Sequence, residues 1–148
     1  MTSGRVLHVD HGAGVVSAMA DTVAFPRWAS SSHEPVVAVA APIRRRVRAL
    51  LAGWGVDADT VDDALLVVEE LVANVLDHAR TRFELVLRMT GDVLHVAVSD
   101  RSGRTPRIQP HDPHAARGRG LQLVATLSQR WGCEQHDDGK TVWAELRT

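Results

Sequence analysis

Glu70, Asn74 and His78 stand four residues apart in the stretch Val61 to Arg80 and so share one helical face. An Asn in the middle of a helix costs a few tenths of a kcal/mol against Ala on intrinsic propensity. A bound ligand or metal is one compensation for that choice; a plain solvated polar face is the other. Gly118-Arg119-Gly120 precedes the helical run LQLVATLSQRW. Glycines let a ligand approach the backbone, and free N–H groups in a first helical turn favour an anion. Arg119 can add a charge-assisted contact to a phosphate, or the three residues can be a simple loop-to-helix joint. Asp100 ends a strand before Ser102-Gly103. Its carboxylate can cap that turn or accept a hydrogen bond from an exocyclic amine such as that of adenine. Thr141 can offer a hydroxyl to the same base through water, or be an ordinary β-branched strand residue.

These residues need elements to hold them. Val61, Leu65, Val68, Val72, Val75 and Ala79 recur at helical spacing and predict a central helix running to Arg80. Thr60 reads as its N-cap, with Asp63 in the capping-box position. Pro42 reads as a first-turn proline of an earlier helix that runs through Leu51 and stops at Gly53 or Gly55. Ile43, Val47, Leu50 and Leu51 face one way on it; Arg44, Arg45, Arg46 and Arg48 form a solvated face or a grip for an acidic partner. Ala29 to His33 is a loop by composition. Arg5 to Asp10 and Asp21 to Pro26 carry short strand-like alternations, and residues 1–30 are otherwise unassigned.

After Arg80 the period changes to two. Phe83, Leu85, Leu87 and Met89 alternate with Glu84, Val86 and Arg88, Thr90-Gly91-Asp92 turns the chain, and Val93 to Ser99 returns with Leu94, Val96 and Val98 on one face. Arg101 to Arg117 has no period and three prolines, which fits a lid or binding loop. Leu121, Val124, Leu127 and Trp131 predict a last helix ending at Gly132. Cys133 to Asp137, the turn pair Asp138-Gly139, and Lys140 to Arg147 predict a closing hairpin. This order gives one α+β domain spanning residues 1–148, with helices on one face of a mostly antiparallel sheet.

Composition closes off several functions. At 148 residues the chain is long enough for a real core. A formal net charge of −1 argues against broad binding to nucleic acid or a membrane surface, since both need a basic excess. Cys133 is the one cysteine, so no internal disulfide forms, and a buried thiol is expected there. No run approaches bilayer length, and a cytoplasmic location is expected. His111 and His114 lack two further spaced ligands for zinc.

The stretches Glu70 to Ala79, Asp100 to Pro106, Gly118 to Leu121 and Gly139 to Thr141, in that order, resemble the N, G1, G2 and G3 boxes of the GHKL, or histidine kinase-like, ATP-binding fold. The E-L-V-x-N-x-x-x-H-A form looks most like the bacterial anti-sigma-factor serine kinases, over roughly Ile43 to the C-terminus. The resemblance implies a Bergerat-type two-layer sandwich and an ATP cofactor with Mg²⁺. It implies that Asn74 ligates the metal and that Glu70 is the general base toward a Ser or Thr hydroxyl. Asp100 would read the adenine amine, with Gly103 giving the base room; Ser102 holds the place where the family's glycine usually stands. Gly118, Arg119, Gly120 and Leu121 would hold the phosphates, Thr141 would support the adenine side, and Arg104 to Arg117 would be the ATP lid. His78 lies a turn beyond the metal ligand and is expected to be structural. A sigma factor or a STAS-type anti-anti-sigma protein is the implied partner, with a possible homodimer. The alternative is a non-catalytic module whose nucleotide state chooses its partner; Glu70 is the residue that separates the two.

Overall fold

A computed structural model describes residues 26–103 and 120–148 of the chain. The described elements follow the order β1 (Arg27–His33), α1 (Ala40–Gly53), α2 (Ala58–Asn74), β2 (Phe83–Thr90), β3 (Val93–Asp100), α3 (Gly120–Leu127), β4 (Arg130–His136) and β5 (Gly139–Arg147). The strands make one sheet in the order β1-β2-β3-β5-β4, and every described pairing is antiparallel. Alternation along the strands sorts the side chains. Phe83, Leu85, Leu87, Leu94, Val96, Val98, Val142, Ala144 and Leu146 are buried toward the helices. Among the described residues the fold is α+β, three α-helices on one face of an antiparallel sheet, in agreement with a Bergerat-type ATPase fold.

The central helix α2 is buried on a broad front. Val61, Leu65, Val68 and Val72 are joined by Ala64, Val67 and Leu71, because α1 and α3 flank it while the sheet lies beneath. Each fully buried Val or Leu contributes about 1.5–3 kcal/mol, which outweighs the small helix penalty of so many valines. Helix α1 buries Ile43, Val47 and Leu51. Its arginines face water, and two of them pair with acids of α2: Arg44 with Glu69, and Arg48 with Asp62 at 3.1 Å. Such exposed pairs add at most about 1 kcal/mol each.

Several boundaries differ from the sequence expectation. Ala29 to His33 is not a loop: the serine-rich run is edge strand β1, in register with Phe83 to Leu87 of β2. Backbone pairing with a strongly patterned neighbour overrides the low strand propensity of serine. The cap of α2 is Asp57 rather than Thr60; its carboxylate accepts from the Thr60 N–H at 3.0 Å and from the Thr60 hydroxyl at 2.6 Å. Pro42 is the third residue of α1, still within the first turn, where its missing N–H costs nothing. The last helix stops at Leu127, and Trp131 and Gly132 belong to β4. After the Ser128 N–H bonds to the Val124 carbonyl, the Gln129 N–H donates to the Glu145 carbonyl, so the sheet captures the chain. The closing turn is Asp137-Asp138, with Gly139 already in β5.

Arg5 to Asp10, most of Asp21 to Pro26, and the lid expected over Arg104 to Arg117 lie outside the described residues, as do His111 and His114. Among the described residues no helix is long and apolar enough to cross a membrane.

Candidate functional site

The α-helical frame of α2 ends at Asn74. Val75 to Ala79 form a single π-helical turn, closed by Arg80 in the left-handed region at φ 52°. A π turn adds a residue per turn, so His78 leaves the stripe that Glu70 and Asn74 share. It is exposed instead. A non-glycine residue in the left-handed region carries strain, and such strain and π turns concentrate at functional sites. Here Asp77, His78, Ala79 and Arg80 line a hollow of about 480 Å³ together with Ser102, the second residue past β3. That volume is within the range of small-molecule sites. The sequence suggested a structural His78, whereas the fold places it on the wall of this hollow.

Glu70 and Asn74 stay together on α2, one turn apart. The Glu70 carboxylate lies against Gly120, the first residue of α3, so closely that a Cβ at Gly120 would overlap Oε2. The glycine therefore makes room for the carboxylate. Burial pushes the Glu70 carboxyl above its usual range, and the neighbouring Glu69 and Asp77 charges push it further the same way. A carboxyl so raised is better matched to accepting a proton at neutral pH. The Asn74 side-chain nitrogen is buried with no hydrogen-bond partner. Amide nitrogen and oxygen exchange places on a flip, so this end of Asn74 is a polar group lacking a protein partner. An orphaned amide beside an acid housed by a glycine fits a hard cation with an anionic ligand.

Raised acids have a stability signature. The neutral form of Glu70 is favoured in the folded state, so its contribution is fully present below its ordinary value of 4.5 and is lost as pH rises through the raised value. Glu70→Gln is therefore expected to melt higher than the wild type at neutral pH. The gain should shrink toward zero on the acid side of the ordinary carboxyl value, as thermal melts across pH would show.

Asp100 ends β3 with its side chain turned inward and 2% exposed. One oxygen accepts the Ser102 N–H at 2.7 Å, the turn-capping role; the other pairs with the Lys140 ammonium at 2.9 Å. Lys140 was not singled out as a site residue by the sequence reading. Its one available signal was its being the only lysine in a chain otherwise basic through arginine. Thr141 does not join Asp100. One residue along β5 from Lys140, it faces the other side of the sheet, where its hydroxyl meets Ser99 at 2.8 Å and His136 at 2.9 Å. Gly103 is exposed, with open space around it. Leu121 is buried in the core under α3. Gly118 and Arg119 lie outside the described residues.

Cys133 is half-buried in β4, and burial pushes its thiol up, away from a nucleophile's thiolate. Among the described residues no three His, Cys, Asp or Glu side chains converge on a common metal position.

A family model described as a histidine kinase-like ATPase domain matches residues 33–146. The chain belongs to that family. The matched span holds α1, α2, the hollow and the Asp100–Lys140 pair. Among solved structures the domain is similar to the RsbU and RsbW domains of Rv1364c from Mycobacterium tuberculosis, with a TM-score of 0.64 at 18% identity. That match covers 82% of this chain and 32% of the other, so the domain spans a minor part of that structure's length. The likeness is one of fold. No curated protein matches the chain.

Proposed function

We propose that this domain is an anti-sigma regulatory kinase that uses Mg-ATP to phosphorylate a serine or threonine of an anti-anti-sigma partner. The observation that carries the reading is the Glu70 carboxylate, raised by burial and lodged against Gly120, one turn from the unpartnered amide of Asn74. The family match supports the nucleotide, and the likeness in fold to a structure containing an RsbW domain supports the partner class. A cytoplasmic site of action follows from that partner class.

Phosphoryl transfer asks the protein for positioning and charge neutralisation more than for covalent chemistry. Bound Mg-ATP supplies the phosphoryl group and the cation that offsets its charge. Asn74 would hold the metal. Gly120, the first residue of α3, and Gly118 and Arg119, which precede it in sequence, would hold phosphate oxygens through backbone N–H groups and the Arg119 charge. Glu70 accepts the proton of the partner's hydroxyl as that oxygen becomes the nucleophile, and its raised pKa suits the task at neutral pH. Asp100 stands at the base end, with Gly103 near the base, while Leu121 fixes α3 from beneath.

The test is transfer from γ-labelled ATP to a purified STAS-type protein, with nucleotide binding followed by calorimetry. Glu70→Ala is expected to lower transfer by about 10²–10⁴-fold with ATP uptake retained. Asn74→Ala is expected to abolish the magnesium dependence of uptake. Wild-type binding without transfer to any substrate would leave a nucleotide-controlled binding module. Absence of magnesium-dependent uptake would remove both.

A further inference from the structure

On the face of the sheet away from the helices, the register sorts side chains into rows that cross all five strands. The middle row is Ser30, Val86, Ala97, Trp143 and Gly132, each small or apolar. One row toward the β2–β3 turn, Arg88 of β2 and Arg130 of β4 stand level. One row the other way, Glu84 and Glu134 stand level on those same two strands. The face thus has a cationic border, an uncharged centre and an acidic border. Glu145 lies in the cationic row, but His95 at 3.5 Å and Arg130 at 3.7 Å already hold it. Arg88, Glu84 and Glu134 have no ion-pair partner among the described residues.

The centre is kept low. Gly132 lets the Trp143 indole lean across β4, since a Cβ there would stand 2.9 Å from the ring. His95 stacks on that indole with centroids 5.8 Å apart. Trp28, 62% exposed, ends the cationic row on edge strand β1. Among the described residues no element covers this face, because the three α-helices lie on the other.

We propose that this open face binds a second copy of the chain, about a two-fold axis lying along the middle row. Such an axis leaves each strand over its own counterpart and reverses its direction. Arg88 then meets Glu84 of the partner subunit, Arg130 meets Glu134 of the partner subunit, and symmetry repeats both pairs. The central rows pack on each other at the spacing of about 10 Å that stacked sheets adopt. A two-fold along the strands fits less well. It sets Arg88 against the partner's Glu145, which is already held, and leaves Glu84 and Glu134 facing neutral side chains. The strands are seven to nine residues long. Five of them, about 4.8 Å apart with about 3.3 Å per residue, give a face of roughly 600 Å² in projection. Side-chain relief brings its accessible area near the ~800 Å² per partner of a standard interface.

The proposal goes beyond the kinase reading and is tested without nucleotide, so either can fail alone. Sedimentation equilibrium of the full chain, up to near-millimolar concentration, is expected to show a wild-type dimer. Arg88→Glu changes an exposed side chain and spares the core. It is expected to weaken the dimer by about tenfold or more, since like charges then face each other at two symmetric places. Adding Glu84→Arg to the same chain reverses those pairs and should restore the wild-type Kd to within about threefold. A wild type that stays monomeric overturns the proposal and leaves the face to another occupant. A dimer indifferent to Arg88→Glu, or weakened by it and not rescued by Glu84→Arg, overturns it as well.

Discussion

Gly139→Ala is expected to destabilise the domain by about 3 kcal/mol or more, the upper range for forcing a methyl into a packed interior. The added Cβ would collide with the Asp100 carbonyl oxygen and crowd the Arg101 Cα at 2.8 Å. Both are backbone atoms, at and just past the end of the neighbouring strand, so no rotamer change relieves them. The β3–β5 ladder must part at its end. A contrasting position sharpens the test. Gly53 closes α1 with nothing within 4 Å of a built Cβ, and its φ is unremarkable. Gly53→Ala should be neutral or stabilising by up to about 1 kcal/mol. Urea unfolding of the two variants gives the comparison, and equal midpoints would contradict the close approach at Gly139.

The second large effect lies one contact away. Asp100→Ala should lower stability by about 3–5 kcal/mol, because it leaves the Lys140 ammonium buried with no counter-charge. The double change Asp100→Ala with Lys140→Met should recover much of that loss, since no unpaired charge is then left buried. Recovery is the informative arm. A buried ion pair contributes little net stability, while breaking it is costly, and a double-mutant cycle separates the two. A double variant no more stable than Asp100→Ala alone would mean the loss comes from the Ser102 turn, which the carboxylate also holds at 2.7 Å.

The two effects show why parts of the site were hard to read in sequence. Glu70 and Asn74 were legible because i, i+4 spacing on a regular helix fixes a shared face whatever the helix packs against. His78 was misplaced by the same rule, since the frame changes at Val75 and no residue type announces a π turn. Thr141 was drawn toward Asp100 because it follows Gly139 closely. Alternation instead sends Lys140 inward and Thr141 outward, and which parity faces the helices is decided by the register with Asp100. Trp131 fitted the apolar spacing of α3 and also the inward parity of β4. Spacing could not choose between them; the Gln129 N–H bond to the Glu145 carbonyl does.

The serine-rich run in β1 shows the same limit from the other side. Nothing in its composition asks for a strand, and it becomes one because β2 presents an open row of backbone partners. The sequence by itself determined the elements with strong internal period: α1, α2, the β2–β3 hairpin and most of β5. It also determined that an acid and an amide would share one face of the central helix. Tertiary structure alone decided that a glycine from a distant helix would house the acid, and that a lysine would claim Asp100. Periodicity is a property of one segment, whereas a close approach or a buried ion pair belongs to two segments brought together by the packing of the whole chain.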